Sequence, residues 1–292
     1  MEEQKYWVWL SKIDKRLTPI LNMLLEKYKT PENLWNLDKI ELLKNNIGIE
    51  LAEEILKKEY KENLDKYIEY MLKHKIEIIP VNSKHYPKKL KYIYSYPLVL
   101  YIKGNKDIID RKSLAIIGSR NCSSYGKNVA NFFAKEISKY NINIISGLAR
   151  GIDTFVHVGA LEKGGKTIAV IGTGLDITYP DENKILQEKI LANDGVIISE
   201  FIVGTKINKI NFPIRNRIIS GLSDGVLVVE AGKKSGTFIT VEHALEQGKT
   251  VYVVPGNINS RTSEGTNELA KQGAKIVVKK EDILEDFIEN KK

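Results

Sequence analysis

The spacing of apolar positions divides the chain. In "LTPILNMLLEKY", "LWNLDKIELLKNN" and "IELAEEILKKEYKENLDKYIEYMLKH", Leu, Ile, Met and Tyr recur every three to four residues with Lys and Glu between them, the period of amphipathic helices. Residues 1 to about 75 therefore predict a small all-helical domain. It holds all three tryptophans, Trp7, Trp9 and Trp35, which are expected in its core. Over residues 76–112 Pro80, Pro87 and Pro97 interrupt helix, and "PLVLYIKG" reads as a strand running into a glycine turn. This stretch is expected to be a connector that adds edge strands to whatever follows.

From residue 113 to the end, the apolar runs "SLAIIG", "NINIIS", "KTIAVIG", "GVIIS", "DGVLVVE", "TVYVVP" and "AKIVV" alternate with helical stretches. Strands that are apolar throughout, rather than at every second position, are covered on both faces, and helices between them make the sheet parallel. The prediction is an α/β fold, an extended Rossmann-like, doubly wound and mostly parallel sheet preceded by the helical domain. The late runs "TVYVVP" and "AKIVV" are possible sheet edges.

In such a sheet the ligand lies beyond the carboxyl ends of the strands, so the loops leaving those ends become neighbours. They read "GSRNCSSYG", "SGLARGID", "GTGLDITYP", "EAGKKSGT" and "PGNINSRTSEG". Small residues that admit a ligand to the backbone, followed by a helix start, suit an anion. The first loop also shows which anion does not fit. A dinucleotide fingerprint would place further glycines where Ser119 and Arg120 stand, because a pyrophosphate must sink onto bare backbone. No cofactor is expected; a phosphate lying across the rim would instead be gripped by Arg120.

Charge sharpens this picture. Residues 1–75 hold 14 basic and 14 acidic side chains; the remaining 31 basic and 23 acidic ones, and with them the whole formal excess of +8, fall after residue 75. A basic excess favours a polyanionic partner. Between Gly204 and Arg217 lie Lys206, Lys209, Arg215 and Arg217 and no acidic residue, with Phe212 and Asn216 among them. Basic groups interleaved with an aromatic ring hold single-stranded nucleic acid without reading its sequence. Phe212 is the first aromatic candidate, ahead of Tyr125 and Phe155. If "PIRNRIISGLS" is helical, Arg215 and Arg217 point in different directions, so one is assigned to phosphate and the other to a structural ion pair, in an order the sequence leaves open.

Other chemistry is thin. His74, His85, His157 and His243 show no metal spacing, and the single cysteine, Cys122, permits neither an intrachain disulfide nor a cysteine cluster. Asp153 reads as a helix N-cap, while Asp176 and Glu230 read equally well as acids or as acceptors for loop amides. With no signal peptide and no membrane span, a cytoplasmic location is expected.

Together "IIGSR", "SGLARGIDT", "GTGLDITYPDEN", "ISE", "FPIRNRIISGLSDGVLVVEA", "SGTFIT", "HALEQGKTVYVVPG" and "SEGTNELAKQGA" follow one another as in the DprA family, also called Smf, which this chain resembles over about residues 80–280. The resemblance implies an extended Rossmann core that binds single-stranded DNA, dimerises and helps load a RecA-type recombinase during natural transformation. It implies that Arg120 clamps a phosphate, that Lys209 is a backbone-binding lysine and that Phe212 contacts a base. Gly118, Ser119, Ser146, Gly147, Gly151, Ser235, Gly236 and Thr237 would complete the pocket, beside Arg215, Asn216 and Arg217. The helical N-terminus would be a sterile-alpha-motif-like domain. The chain departs from the family at Ile207, where a proline often follows the lysine, and is expected to lack the C-terminal winged-helix domain of many members.

The same Rossmann variant also resembles nucleotide phosphoribohydrolases, the alternative reading. Those place a glutamate three residues after a "GT" pair; here the pair is Gly236 and Thr237, and the third residue on is Thr240. A threonine supplies no carboxylate for general-base work.

Overall fold

The computed structural model describes residues 2–288. Its first part contains six helices, α1 (Glu2–Lys12), α2 (Thr18–Tyr28), α3 (Pro31–Trp35), α4 (Lys39–Leu43), α5 (Ile49–Ile55) and α6 (Leu64–Lys73). The helical period over 49–74 predicts one element, but the chain breaks between α5 and α6, where Asn63 takes a left-handed φ of 56°. The break lets Leu64, Ile68 and Met71 turn back into one buried cluster with Trp7 and Trp9. Trp35 packs edge-on against Trp9 at 5.3 Å. Trp7 and Trp9 are core residues, as expected, and Trp35 is half-buried against them.

Nine strands follow: β1 (Glu77–Pro80), β2 (Val99–Gly104), β3 (Ser113–Ile117), β4 (Asn143–Ser146), β5 (Thr167–Ile171), β6 (Val196–Ser199), β7 (Gly225–Val228), β8 (Thr250–Val253) and β9 (Lys275–Ile276). They form one sheet in the order β1-β2-β6-β5-β4-β3-β7-β8-β9. β1 and β2 are antiparallel to their neighbours and every other pairing is parallel. The stretch before residue 113 thus contributes two strands beyond β6. At the opposite end "AKIVV" shortens to the two-residue edge strand β9, whereas "TVYVVP" is β8, an interior strand and no edge.

The later helices are α7 (Ser124–Ser138), α8 (Ile152–Glu162), α9 (Lys184–Ala192), α10 (Asn211–Leu222), α11 (Thr237–Glu246), α12 (Glu264–Lys271) and α13 (Glu281–Phe287). Successive residues of each strand serve opposite faces. On β3, Ala115 and Ile117 pack with α10 and α11 through Ile218, Ile219, Leu222, Val241 and Ala244; Leu114 and Ile116 pack with α7, α8 and α13 through Phe133, Val156 and Phe287. On β5, Ala169 and Ile171 belong to the cluster of the N-terminal helices. That helical unit is therefore fused to the sheet by a common core, and Ser11 on α1 hydrogen-bonds the Tyr101 hydroxyl on β2.

From β3 the chain runs outward through β4, β5 and β6, then returns to the other side of β3 for β7. The strand order reverses between β3 and β7, and a crevice opens beyond the carboxyl ends of strands at such a point.

Candidate nucleic-acid interface

The loop after β3 carries Arg120, and its path is set from both sides of the switch point. The Ser119 amide donates to the Glu230 carbonyl after β7, 2.8 Å, and the Ser119 carbonyl accepts from the Ile152 amide at the start of α8, 3.2 Å. Gly151 must be glycine: its φ is 75°, and a Cβ there would lie 2.3 Å from the Arg120 carbonyl oxygen. The buried Glu230 carboxylate braces the far end of the loop, accepting from the Ser123 amide at 2.9 Å, the Ser123 hydroxyl at 2.5 Å and the Thr262 hydroxyl at 3.0 Å. With the backbone held, the exposed Arg120 side chain rises with its guanidinium 5.3 Å from the centre of the Phe212 ring. Among the described residues it forms no ion pair. A fixed cation over a ring, open to water, suits a phosphate beside a stacked base.

Phe212 is placed by two interlocked loops. Asp176 in the loop after β5 accepts the Gly204 amide on both carboxylate oxygens at 2.9 Å. The Gly174 amide donates to the Thr205 carbonyl, 3.0 Å, and the Asn211 side chain donates to the Gly172 carbonyl, 3.2 Å. Between these anchors Lys206, Ile207, Asn208, Lys209 and Ile210 all face solvent. Among the described residues, neither Lys206 nor Lys209 has a carboxylate partner. The Tyr179 ring lies 5.6 Å from that of Phe212 and tilted by 37°, so Phe212 is one wall of an aromatic pair. The sequence reading missed Tyr179 and Arg150, which line the small pocket under Phe212. Both stood in the loops that pointed to an anion; the missing signal was which loop residues face each other. Arg150 is held by the Glu182 carboxylate through two bonds of 2.8 Å.

Of the two arginines of α10, Arg217 is the one that forms the structural ion pair. Its side chain is 7% exposed, and it forms two parallel 2.8 Å bonds to Glu200, whose side chain is 3% exposed, with further bonds to the Ser95 and Ile214 carbonyls. Arg215 is also buried, yet it lines both the cleft and the small pocket under Phe212. It donates to the Gly147 carbonyl at 2.7 Å and to the Val170 carbonyl, with Asp153 beside it, and burial pulls its pKa down to about 10. It remains charged at neutral pH. Asn216 lines the cleft and accepts from Arg215 Nε, 3.2 Å.

The loop after β4 is less open than expected. The Ser146 hydroxyl, fully buried, donates to the Ile116 carbonyl at 2.7 Å. The Gly147 and Ala149 amides are taken by Asp153 at 3.1 and 3.3 Å, so Asp153 caps this loop rather than the α8 N-terminus, and burial raises its pKa. A Cβ on Gly147 would stand 2.7 Å from both the Arg215 guanidinium and Asp153. Ser146 and Gly151 thus shape the floor of the site, and Gly147, its amide already taken, lines the small pocket under Phe212. Gly118, Ser119, Ser235, Gly236 and Thr237 do line the cleft. The Ser235 hydroxyl donates to Thr237 Oγ1 and accepts the Thr237 amide, closing the first turn of α11.

Asp176 and Glu230 serve loop amides and the Ser123 and Thr262 hydroxyls, and Thr240 stands on the cleft wall where the hydrolase pattern would put its glutamate. Phe155 packs against the α7–α8 side, with Lys127 over its ring at 5.4 Å, whereas Tyr125 is exposed. His157 is buried; Thr167 Oγ1 donates its only proton to the Ile144 carbonyl, so His157 Nδ1 must donate to it. Among the described residues there is no group of side chains that could hold a metal ion, and no helix long and apolar enough to cross a membrane.

Known proteins are similar to this chain in sequence and fold. A family model described as DNA recombination-mediator protein A matches residues 77–288. DNA processing protein DprA of Streptococcus pneumoniae is 46% identical over 202 residues, 69% of this chain and 71% of its own; its Bacillus subtilis counterpart is 44% identical over 215 residues, 73% and 72%. The X-ray structure of the Streptococcus pneumoniae protein superposes with a TM-score of 0.81 at 35% identity, covering 97% of both chains. A structure describing the single-stranded DNA binding mode of DNA processing protein A from Helicobacter pylori superposes with a TM-score of 0.66 at 31% identity, covering 73% of this chain and 95% of that one.

Proposed function

We propose that this chain, which belongs to the DNA recombination-mediator protein A family, binds single-stranded DNA in a largely sequence-independent way over the mouth of the β3–β7 crevice. The observation that carries the reading is the unpaired Arg120 guanidinium over the Phe212 ring, with Lys209 three residues ahead of that ring on an exposed loop. Arg120 and Lys209 meet phosphates, Phe212 and Tyr179 offer faces to bases, and the amides and hydroxyls of Ser119, Ser235, Gly236 and Thr237 line the path. The loop after β3 lacks the bare backbone a pyrophosphate requires. Sequence tolerance follows, because every base has a face to stack.

The strand so held is presented to a RecA-type recombinase, in the recombination that accompanies DNA uptake, by a homodimer acting in the cytoplasm. The family's description as a recombination mediator supports this role. Equilibrium binding to a single-stranded oligonucleotide and to its duplex tests the first step: preference for the single strand is expected, lost in Phe212→Ala. Filament growth by a RecA-type recombinase on a strand coated with single-strand-binding protein tests the second. Acceleration by the wild type but not by Arg120→Ala is expected, and no acceleration by either would exclude the mediator role.

A further inference from the structure

Between Glu77 and Asp107 the chain has no acidic residue, six lysines and five tyrosines. Part of this stretch, the 3-10 turn Lys88–Tyr92 and the residues up to Tyr96, lies over α10. Leu90 and Ile93 are buried there with Ile218, Ile219 and Leu222. The other side of the turn faces water. Tyr92 is 89% exposed and Tyr94 79%, although a tyrosine ring is a large apolar body that folding normally covers. Lys84, Lys88 and Lys91 are exposed in the same stretch, and among the described residues none of the three forms an ion pair; Lys89 is neutralised by Asp224 and Lys106 by Glu77.

The position of Tyr94 is built rather than loose. Ser95 follows it with a left-handed φ of 56°, which costs a residue with a Cβ about 1 kcal/mol. Its carbonyl is gripped by Arg217 Nε at 2.8 Å, and Arg217 is locked in turn by Glu200. The ion-paired arginine thus fixes the turn that carries the tyrosines. Phe212 lies in the first turn of α10 and Arg217 is five residues on, about 7.5 Å along the axis, so the tyrosines flank the same helix as the crevice.

We infer that Tyr92 and Tyr94, with Lys84, Lys88 and Lys91, form a second contact for the same single strand of DNA, beyond the crevice. The inference rests on the single-strand reading above and extends its footprint. Exposed rings take bases and unpaired lysines take phosphates; of the carboxylates that reach this turn, Asp224 is paired with Lys89 and Asp110 accepts the Lys88 amide, so the lysines outnumber them and the patch favours a polyanion.

Affinity for strands of about 6 and about 20 nucleotides, within and beyond the site sizes of such grooves, tests it. Tyr92→Ser with Tyr94→Ser should weaken the long strand about fivefold or more for each base unstacked and leave the short strand unchanged. Tyr92→Phe with Tyr94→Phe keeps the rings and should bind as wild type. Lys88→Gln with Lys91→Gln should lower the slope of log affinity against log salt by about 1.4 on the long strand only. If the serine pair binds the long strand as tightly as wild type while Arg120→Ala weakens both lengths, the second contact is overturned and the crevice reading stands. If wild type binds neither strand, both fall.

Discussion

Replacing Arg217 with alanine separates a structural cation from a DNA-binding one. The side chain forms four hydrogen bonds, two to Glu200 and one each to the Ser95 and Ile214 carbonyls. Its removal leaves Glu200 buried with no guanidinium, and breaking one partner of a buried pair costs about 3–5 kcal/mol. Lys15 lies close enough for Glu200 to raise its pKa, against the burial that holds it down at about 8. That residual cation places the loss at the lower end, about 3 kcal/mol. In a chain of this size 1 kcal/mol moves Tm by roughly 2 °C, so a fall of about 6 °C is expected in a thermal melt. Glu200→Gln combined with Arg217→Met removes both charges and should recover most of it. Affinity for a strand of about six nucleotides, measured below the melting transition, should stay at the wild-type value. An unchanged Tm together with a tenfold loss of short-strand affinity would refute the argument and make Arg217 a ligand of DNA.

Three further outcomes follow from the same geometry. Burial and the nearby Arg215 depress the His157 pKa to about 3, against about 6.5 in the unfolded chain, so the unfolded state binds the extra proton between these values. Stability should fall as pH drops below 6.5, by about 2 kcal/mol from this residue at pH 5, and urea titrations should show a shallower pH dependence in His157→Asn. Gly151→Ala forces a Cβ onto the Arg120 and Ser119 carbonyls and should both lower Tm and weaken single-strand binding; a variant that melts lower yet binds normally would show that the Arg120 loop holds without Gly151. Burial raises the Cys122 thiol and Glu230 adds to the rise, so its reaction with a disulfide reagent at neutral pH should be slower than that of free cysteine and should recover that rate in urea.

What was legible in the chain depended on how far a feature could be read from local pattern. The apolar runs announced strands β3–β8 because a strand buried on both faces has to be apolar throughout. That the loops at the carboxyl ends are neighbours followed from the alternation of strands and helices, but the switch point between β3 and β7, where Arg120 meets Phe212, needed the strand order. The α5–α6 break was illegible because the heptad-like spacing continues across Asn63, and only the pull of Trp7 and Trp9 on Leu64 and Ile68 bends the chain there. Periodicity could show that Arg215 and Arg217 diverge, yet which of them met an acid depended on Glu200, 17 residues away from Arg217. Ser146 and Gly147 were ligand candidates through the family resemblance of "SGLARGIDT"; that Asp153, six residues beyond Gly147, takes its amide could be seen only in the fold. Tyr179 could not be chosen from its loop without knowing that Asp176 ties that loop to Gly204.

The account turns on Arg120 and Lys209 meeting the phosphates of a single strand, and a salt titration of affinity tests that most directly. Log affinity for a short single strand should fall linearly with log salt, and Arg120→Ala and Lys209→Ala should each weaken binding and each reduce that slope by about 0.7, with the melting temperature unchanged. If either variant keeps both the wild-type affinity and the wild-type slope at moderate salt, DNA does not lie where this crevice places it.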